Sequence, residues 1–135
     1  MNFAFLIGRI LFGGYWLSSS FHHFKNLNHM AEYAQAKQTP YPKLSVAGTG
    51  VILLLGGLSM LLGVCPIGGI ILLIVFLLGV CFQIHNFWKI GDPQTRQGEM
   101  IHFTKNVALI GALLMLSLLH RPWPMSPRIL QILNF

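Results

Sequence analysis

Apolar residues fall into four long blocks along this chain, and the polar positions at their edges carry most of the information. The blocks cover about residues 3–24, 44–64, 67–88 and 101–120. Each approaches the roughly 20 residues that an α-helix needs to cross a hydrocarbon core of ~30 Å. The pattern predicts an all-α protein: an integral membrane bundle of four transmembrane helices, one domain over 1–135, with an interfacial tail over 121–135.

Within the first block, Arg9, Gly13, Trp16, Ser20 and His23 recur at steps of four and three, so they share one helical face. Arg9 lies inside the apolar run, and Trp16 and Phe21 flank Ser18-Ser19-Ser20. That order is wrong for a cleaved leader and reads as a retained helix. An arginine at mid-membrane costs roughly 2.5–3.5 kcal/mol, so Arg9 either reaches back to the headgroups or faces the bundle interior. Between the first two blocks, Asn28 is placed to cap a short amphipathic helix to about Gln38. Met30, Tyr33, Ala34 and Lys37 would form its membrane side. Thr39-Pro40-Tyr41-Pro42 then stops it.

The second block has no charge and one small face, Ser45, Thr49, Gly56, Ser59 and Gly63, suited to close helix packing. Cys65-Pro66 makes a tight turn into the third block, whose end puts Cys81, His85 and Trp88 on one face. Residues 89–101 read as a polar loop with a turn at Gly91-Asp92-Pro93. The fourth block spans only if His102, Lys105 and Asn106 sit at the interface or face the bundle. In the tail, Trp123 is expected to anchor at the interface, and Ile129, Leu130, Ile132 and Leu133 to lie on the membrane surface.

Composition strengthens the membrane reading. The chain is 54% hydrophobic and 9% charged, with only three acidic residues in 135. A soluble domain carries ~25% charged residues, so most of this surface is expected to meet lipid. The net charge of +6 does not point to nucleic acid, because the nine Lys and Arg residues form no cluster. More of them flank the two longer loops than the opposite ends, which puts those loops in the cytoplasm and both termini outside. Cys65 and Cys81 would stand about 24 Å apart along a helix, too far for a disulfide.

Chemistry concentrates where the blocks end together. His22, His23 and Lys25, then Phe87 with His85 and Trp88, then His102, Lys105 and Asn106 would reach one membrane depth. His29 and His120 read as interface residues. No histidine has a partner acid or cysteine at ligand spacing, so no metal is expected. A cationic, histidine-bearing, aromatic mouth suits an amphipath with an anionic or carbonyl head, such as a quinone or a lipid phosphate. The competing reading is that these groups only lock helix ends to headgroups.

The sequence resembles the DoxX family of small four-helix membrane proteins. The resemblance rests on Arg9 and Lys25 bracketing the first helix, and on Gly56-Gly57 with Gly63 in the second. It rests further on His85-Asn86-Phe87-Trp88, and on the run from His102-Phe103-Thr104-Lys105-Asn106 to Gly111. It implies a multi-pass protein of a prokaryotic cytoplasmic membrane, associated with redox complexes. One family relative is a subunit of a thiosulfate:quinone oxidoreductase, others belong to membrane thiol and oxidative-stress complexes, and a distant eukaryotic branch sorts secretory cargo. Family members often carry an acid in the second helix; residues 44–64 have none. The expected function is therefore a redox-associated subunit or partner of a membrane oxidoreductase, with quinone as candidate cofactor. The expected ligand site is Arg9, His23, Lys25, His85, Phe87, Trp88, His102, Lys105 and Asn106. The alternative is a non-enzymatic adaptor binding a partner protein or lipid, and either reading allows a homo-oligomer.

Overall fold

A computed structural model describes residues 2–127. Five α-helices follow in order: α1 Asn2–Lys25, α2 Leu27–Ala36, α3 Pro42–Leu62, α4 Pro66–Gln83 and α5 Pro93–Ser117, with a 3-10 turn at Phe87–Lys89 before α5. No strand occurs among the described residues. The all-α class is therefore as expected, but several boundaries are not.

Three helices begin with proline in the first turn, where its missing N–H costs nothing. The residue ahead of it is left-handed at Tyr41 (φ 46°) and Cys65 (φ 49°) and extended at Asp92. Asp92 is a full N-cap: its carboxylate accepts from the Thr95 amide at 2.8 Å and the Thr95 hydroxyl at 2.6 Å. This cap starts α5 at Pro93, so most of the expected loop 89–101 is helix. At the other end of the chain, Asn28 lies inside α2; Asn26 precedes the helix and makes no side-chain cap bond. α3 ends at Gly63, whose φ of 67° suits a residue without Cβ.

The core is a seam of Trp16, Leu53, Met60, Ile70, Leu73, Leu77 and Leu113, with Trp123 at one end. Trp123 is 3% exposed and meets the Phe5 ring edge-on at 5.5 Å, so it packs into the protein and does not anchor in the headgroups. α1 lies along α3 on its polar stripe: Arg9, Trp16 and Ser20 are all buried, and Ser20 Oγ donates to the Gly50 carbonyl at 2.7 Å. Glycines on α1 and α3 permit this contact, because a Cβ on Gly13 would strike the Leu61 backbone and one on Gly57 would press on Leu17. The opposite helix faces are apolar and exposed, including Leu11, Leu44, Ile71, Val75, Leu114 and Met115. A surface of that kind is solvated by lipid, not water.

Among the described residues, three stretches are long and apolar enough to cross a membrane: α3, α4 with the turn that follows it (Pro66–Lys89), and α5. Four were expected. α1 has the length, at 24 residues, but its stripe and its His22-His23 end dilute its apolar character. The expected tail residues Ile129, Leu130, Ile132 and Leu133 lie outside the described residues.

Candidate functional site

The site is built where α4 ends and α5 begins. α4 stops at Gln83, and the next residues turn across the end of the bundle, so Cys81, His85 and Trp88 do not form one helical face. Because α5 begins early, Glu99 falls one turn ahead of His102 on the same helix. Glu99 is 7% exposed and accepts three hydrogen bonds from two segments, α2 with its C-cap and the turn after α4. The Tyr33 hydroxyl donates to Oε1 at 2.6 Å, the Lys37 ammonium donates to Oε1 at 3.1 Å, and His85 Nδ1 bonds Oε2 at 2.6 Å. A buried carboxylate is tolerable only with partners of this kind. Gln83 Nε2 donates to the Lys37 carbonyl at 3.0 Å and ties α2 to the end of α4.

The His85 imidazole then stacks on His102, with ring centroids 5.1 Å apart and planes 23° off parallel. With Nδ1 donating to Glu99, His85 keeps Nε2 on its other edge for a further partner. Burial first, then the hydrogen bond and charge of Glu99, push the Tyr33 hydroxyl above its ordinary range, so it remains a donor. Beside the histidines, Phe82, Phe87, Trp88 and Phe103 form a cluster of ring contacts at 5.3–6.3 Å. Polar groups thus stand next to a cluster of rings packed edge to face at the end of two apolar helices.

The sequence-derived site residues divide into groups. His85 stacks on His102, and Phe87 and Trp88 meet each other and Phe103. Asn106 is buried one turn below, its side chain hydrogen-bonded to the Cys81 sulfur. Lys105 is exposed and lines a cavity with Gly8, Leu11, Phe12, Tyr15 and Leu109. His23 is half-buried on α1, Nδ1 against the Ser19 carbonyl at 2.8 Å and its ring edge-on to Phe76. Lys25 reaches over the Phe21 ring. Among the described residues no hydrogen bond, ion pair or ring contact joins His23 or Lys25 to His85 or His102.

Arg9 lies at the far end of the fold. Its guanidinium donates to the Met60 carbonyl at 3.3 Å, the Leu61 carbonyl at 2.8 Å, the Pro124 carbonyl at 2.7 Å and Ser126 Oγ at 3.4 Å. It faces the interior and satisfies the open carbonyls at the end of α3.

Glu99, Tyr33 and Lys37 were not among the expected site residues. The sequence reading finds no acid at ligand spacing to the histidines, and with 89–101 as a loop Glu99 has no fixed place beside them. The signal was present in Asp92-Pro93, a cap followed by a first-turn proline. Starting a helix there puts Glu99, His102 and Asn106 on one face at steps of three and four. Lys37 turns to Glu99 and Ala34 is buried, so α2 does not present these two to lipid as expected, whereas the Tyr33 ring stays exposed and only its hydroxyl is held by Glu99.

Polar side chains gathered at the ends of long apolar helices, in an all-helical chain with a lipid-compatible surface, describe a membrane protein. The chain belongs to the DoxX family, whose model matches residues 4–86, from α1 to the end of α4 and His85-Asn86. The stretch His102–Gly111 lies beyond the matched residues. No curated protein and no solved structure matches the chain.

Proposed function

We propose that this chain is a four-span, multi-pass subunit or partner of a membrane oxidoreductase in a prokaryotic cytoplasmic membrane, with α1 as the fourth crossing. Its rim of His85, His102, Phe87, Trp88 and Lys105 binds the head of an amphipath, a quinone or a lipid. The observation that carries this reading is the His85–Glu99 bond at 2.6 Å. A buried carboxylate that fixes one edge of an imidazole leaves the other edge, Nε2, oriented as an acceptor for a ligand hydroxyl, such as that of a quinol. The aromatic cluster supplies a stacking surface, and Lys105 supplies a cation for an electronegative head.

Membership of the DoxX family supports the membrane role, and the redox association follows from the resemblance to quinone-linked complexes. Binding of a short-chain ubiquinone or menaquinone analogue to protein in nanodiscs tests it. His85→Ala/His102→Ala is expected to weaken binding at least tenfold. Equal affinity of that variant and the wild type would remove the site.

A further inference from the structure

The bundle is not closed. α1 packs on α3, α3 on α4 and α4 on α5, but no Cα of α5 comes within 8 Å of a Cα of α1. In a closed four-helix bundle, neighbouring helix axes pack at 8–10 Å. The gap holds two cavities of about 400 Å³ each. Both are lined by Gly8 and Phe12, so they form one continuous cleft. Its upper part has Lys105 and Tyr15; its lower part has Ala112, Leu116 and Trp123, with Met60 as a wall. Along α5 it runs from Lys105 to Leu119, about 21 Å at ~1.5 Å per residue. One leaflet of a ~30 Å hydrocarbon core is about 15 Å deep, so an acyl chain of one leaflet fits the cleft lengthwise.

Charge identifies the head. Lys105 makes no hydrogen bond or ion pair among the described residues. The three acids are placed elsewhere: Glu99 serves Tyr33, Lys37 and His85, Asp92 serves Thr95, and Glu32 lines a separate groove between α2 and α3. Arg9 also lines the cleft, but its guanidinium is taken up by carbonyls and Ser126. An ammonium beside hydrocarbon favours an anionic partner, and an anionic occupant of the cleft would supply one. A second copy docked on a two-fold axis passing through Lys105 would bring like charges together.

We propose that the cleft between α1 and α5 holds one acyl chain of an anionic phospholipid, with its phosphate on Lys105. This deepens the reading of the rim and rests on it for the head contact; the place of the chain is carried by the cleft alone.

The test is native mass spectrometry of protein taken from vesicles of equal phosphatidylglycerol and phosphatidylcholine into mild detergent. Wild type is expected to retain one lipid, chiefly phosphatidylglycerol. Lys105→Gln should still retain a lipid but lose about fivefold of that preference, the equivalent of ~1 kcal/mol for one lysine at an anionic surface. Gly8→Phe should lose retained lipid of both kinds at an unchanged melting temperature, because a Cβ there meets nothing within 4 Å. Ala112→Phe should do the same from the opposite wall.

Lipid retained by both Phe variants as in wild type would overturn the proposal. So would an unchanged preference in Lys105→Gln, a dimer that Gly8→Phe splits, or retention that appears only after deletion of 128–135. Quinone-analogue binding on the same samples keeps the two readings apart. Lipid lost in Gly8→Phe with no analogue bound by any variant supports the cleft and overturns only a quinone at the rim.

Discussion

Glu99→Gln keeps the shape of the side chain and removes the charge on which three donors converge. The carboxylate accepts from Tyr33, Lys37 and His85, and all three bonds survive geometrically only if the amide presents its oxygen to Tyr33 and Lys37. Its NH₂ then faces His85 Nδ1, which must accept, so the imidazole proton moves to Nε2. Hydrogen bonds involving a charged group contribute about 1.5–3 kcal/mol each and neutral ones about 1. Losing charge assistance at three bonds therefore costs about 3 kcal/mol, in line with the ~3–5 kcal/mol for breaking a buried ion pair. For a chain of this size that is a fall of roughly 10 °C in melting temperature. Thermal unfolding in detergent measures it, with Lys37→Met as the partner in a double-mutant cycle. The two substitutions should couple by about 1 kcal/mol or more, and ¹⁵N shifts of His85 should show the exchanged tautomer. Additive losses within ~0.5 kcal/mol, with an unaltered His85 spectrum, would refute the idea that Glu99 holds this site together.

Other perturbations follow from the same geometry. Arg9→Met should cost about 3 kcal/mol, because it leaves the Met60, Leu61 and Pro124 carbonyls without their donor; hydrogen exchange should rise at the end of α3 and in residues 123–126. Gly63→Ala should cost at least ~1–2 kcal/mol in a melting experiment, since the left-handed φ is strained for alanine and its Cβ would meet Ser126 and Arg9. Asp92→Ala should speed amide exchange at Thr95 and Arg96 and leave the rest of α5 protected. The Thr95 hydroxyl, then its amide, hold the Asp92 carboxyl below its usual range. The cap is therefore fully present above the ordinary carboxylate value and is lost as pH falls through the lowered one, so wild-type exchange should approach that of the variant in acid.

Helix positions followed well from apolar length and proline, because three helices begin where Pro42, Pro66 and Pro93 permit. The stripe through Arg9, Trp16 and Ser20 was readable as an interior face because only one helical period aligns those residues. What Arg9 bonds was not readable. Its partners are backbone carbonyls more than 50 positions away, and backbone atoms leave no mark in a residue pattern. Trp123 misled for a related reason: an indole beside prolines suits an interface, and only the tertiary packing on Phe5 shows it buried. At the site, His85 and His102 were found from local pattern, whereas Glu99 was missed because a polar stretch ahead of an apolar one was given to the loop. The gap between α1 and α5 had no sequence signature, since most of its lining is ordinary apolar side chains and Lys105 reads equally well as a helix-end cation.

The rim formed by His85 and His102 as an amphipath-binding site is tested most directly by photolabelling. Wild-type protein in nanodiscs would be irradiated with an azido-quinone probe and the adducts mapped by peptide mass spectrometry. Adducts concentrated in residues 82–88 and 102–105, competed by unlabelled quinone and lost in His85→Ala/His102→Ala, are the expected result. Adducts spread evenly over the lipid-facing residues of α3, α4 and α5, with no competition, would contradict it.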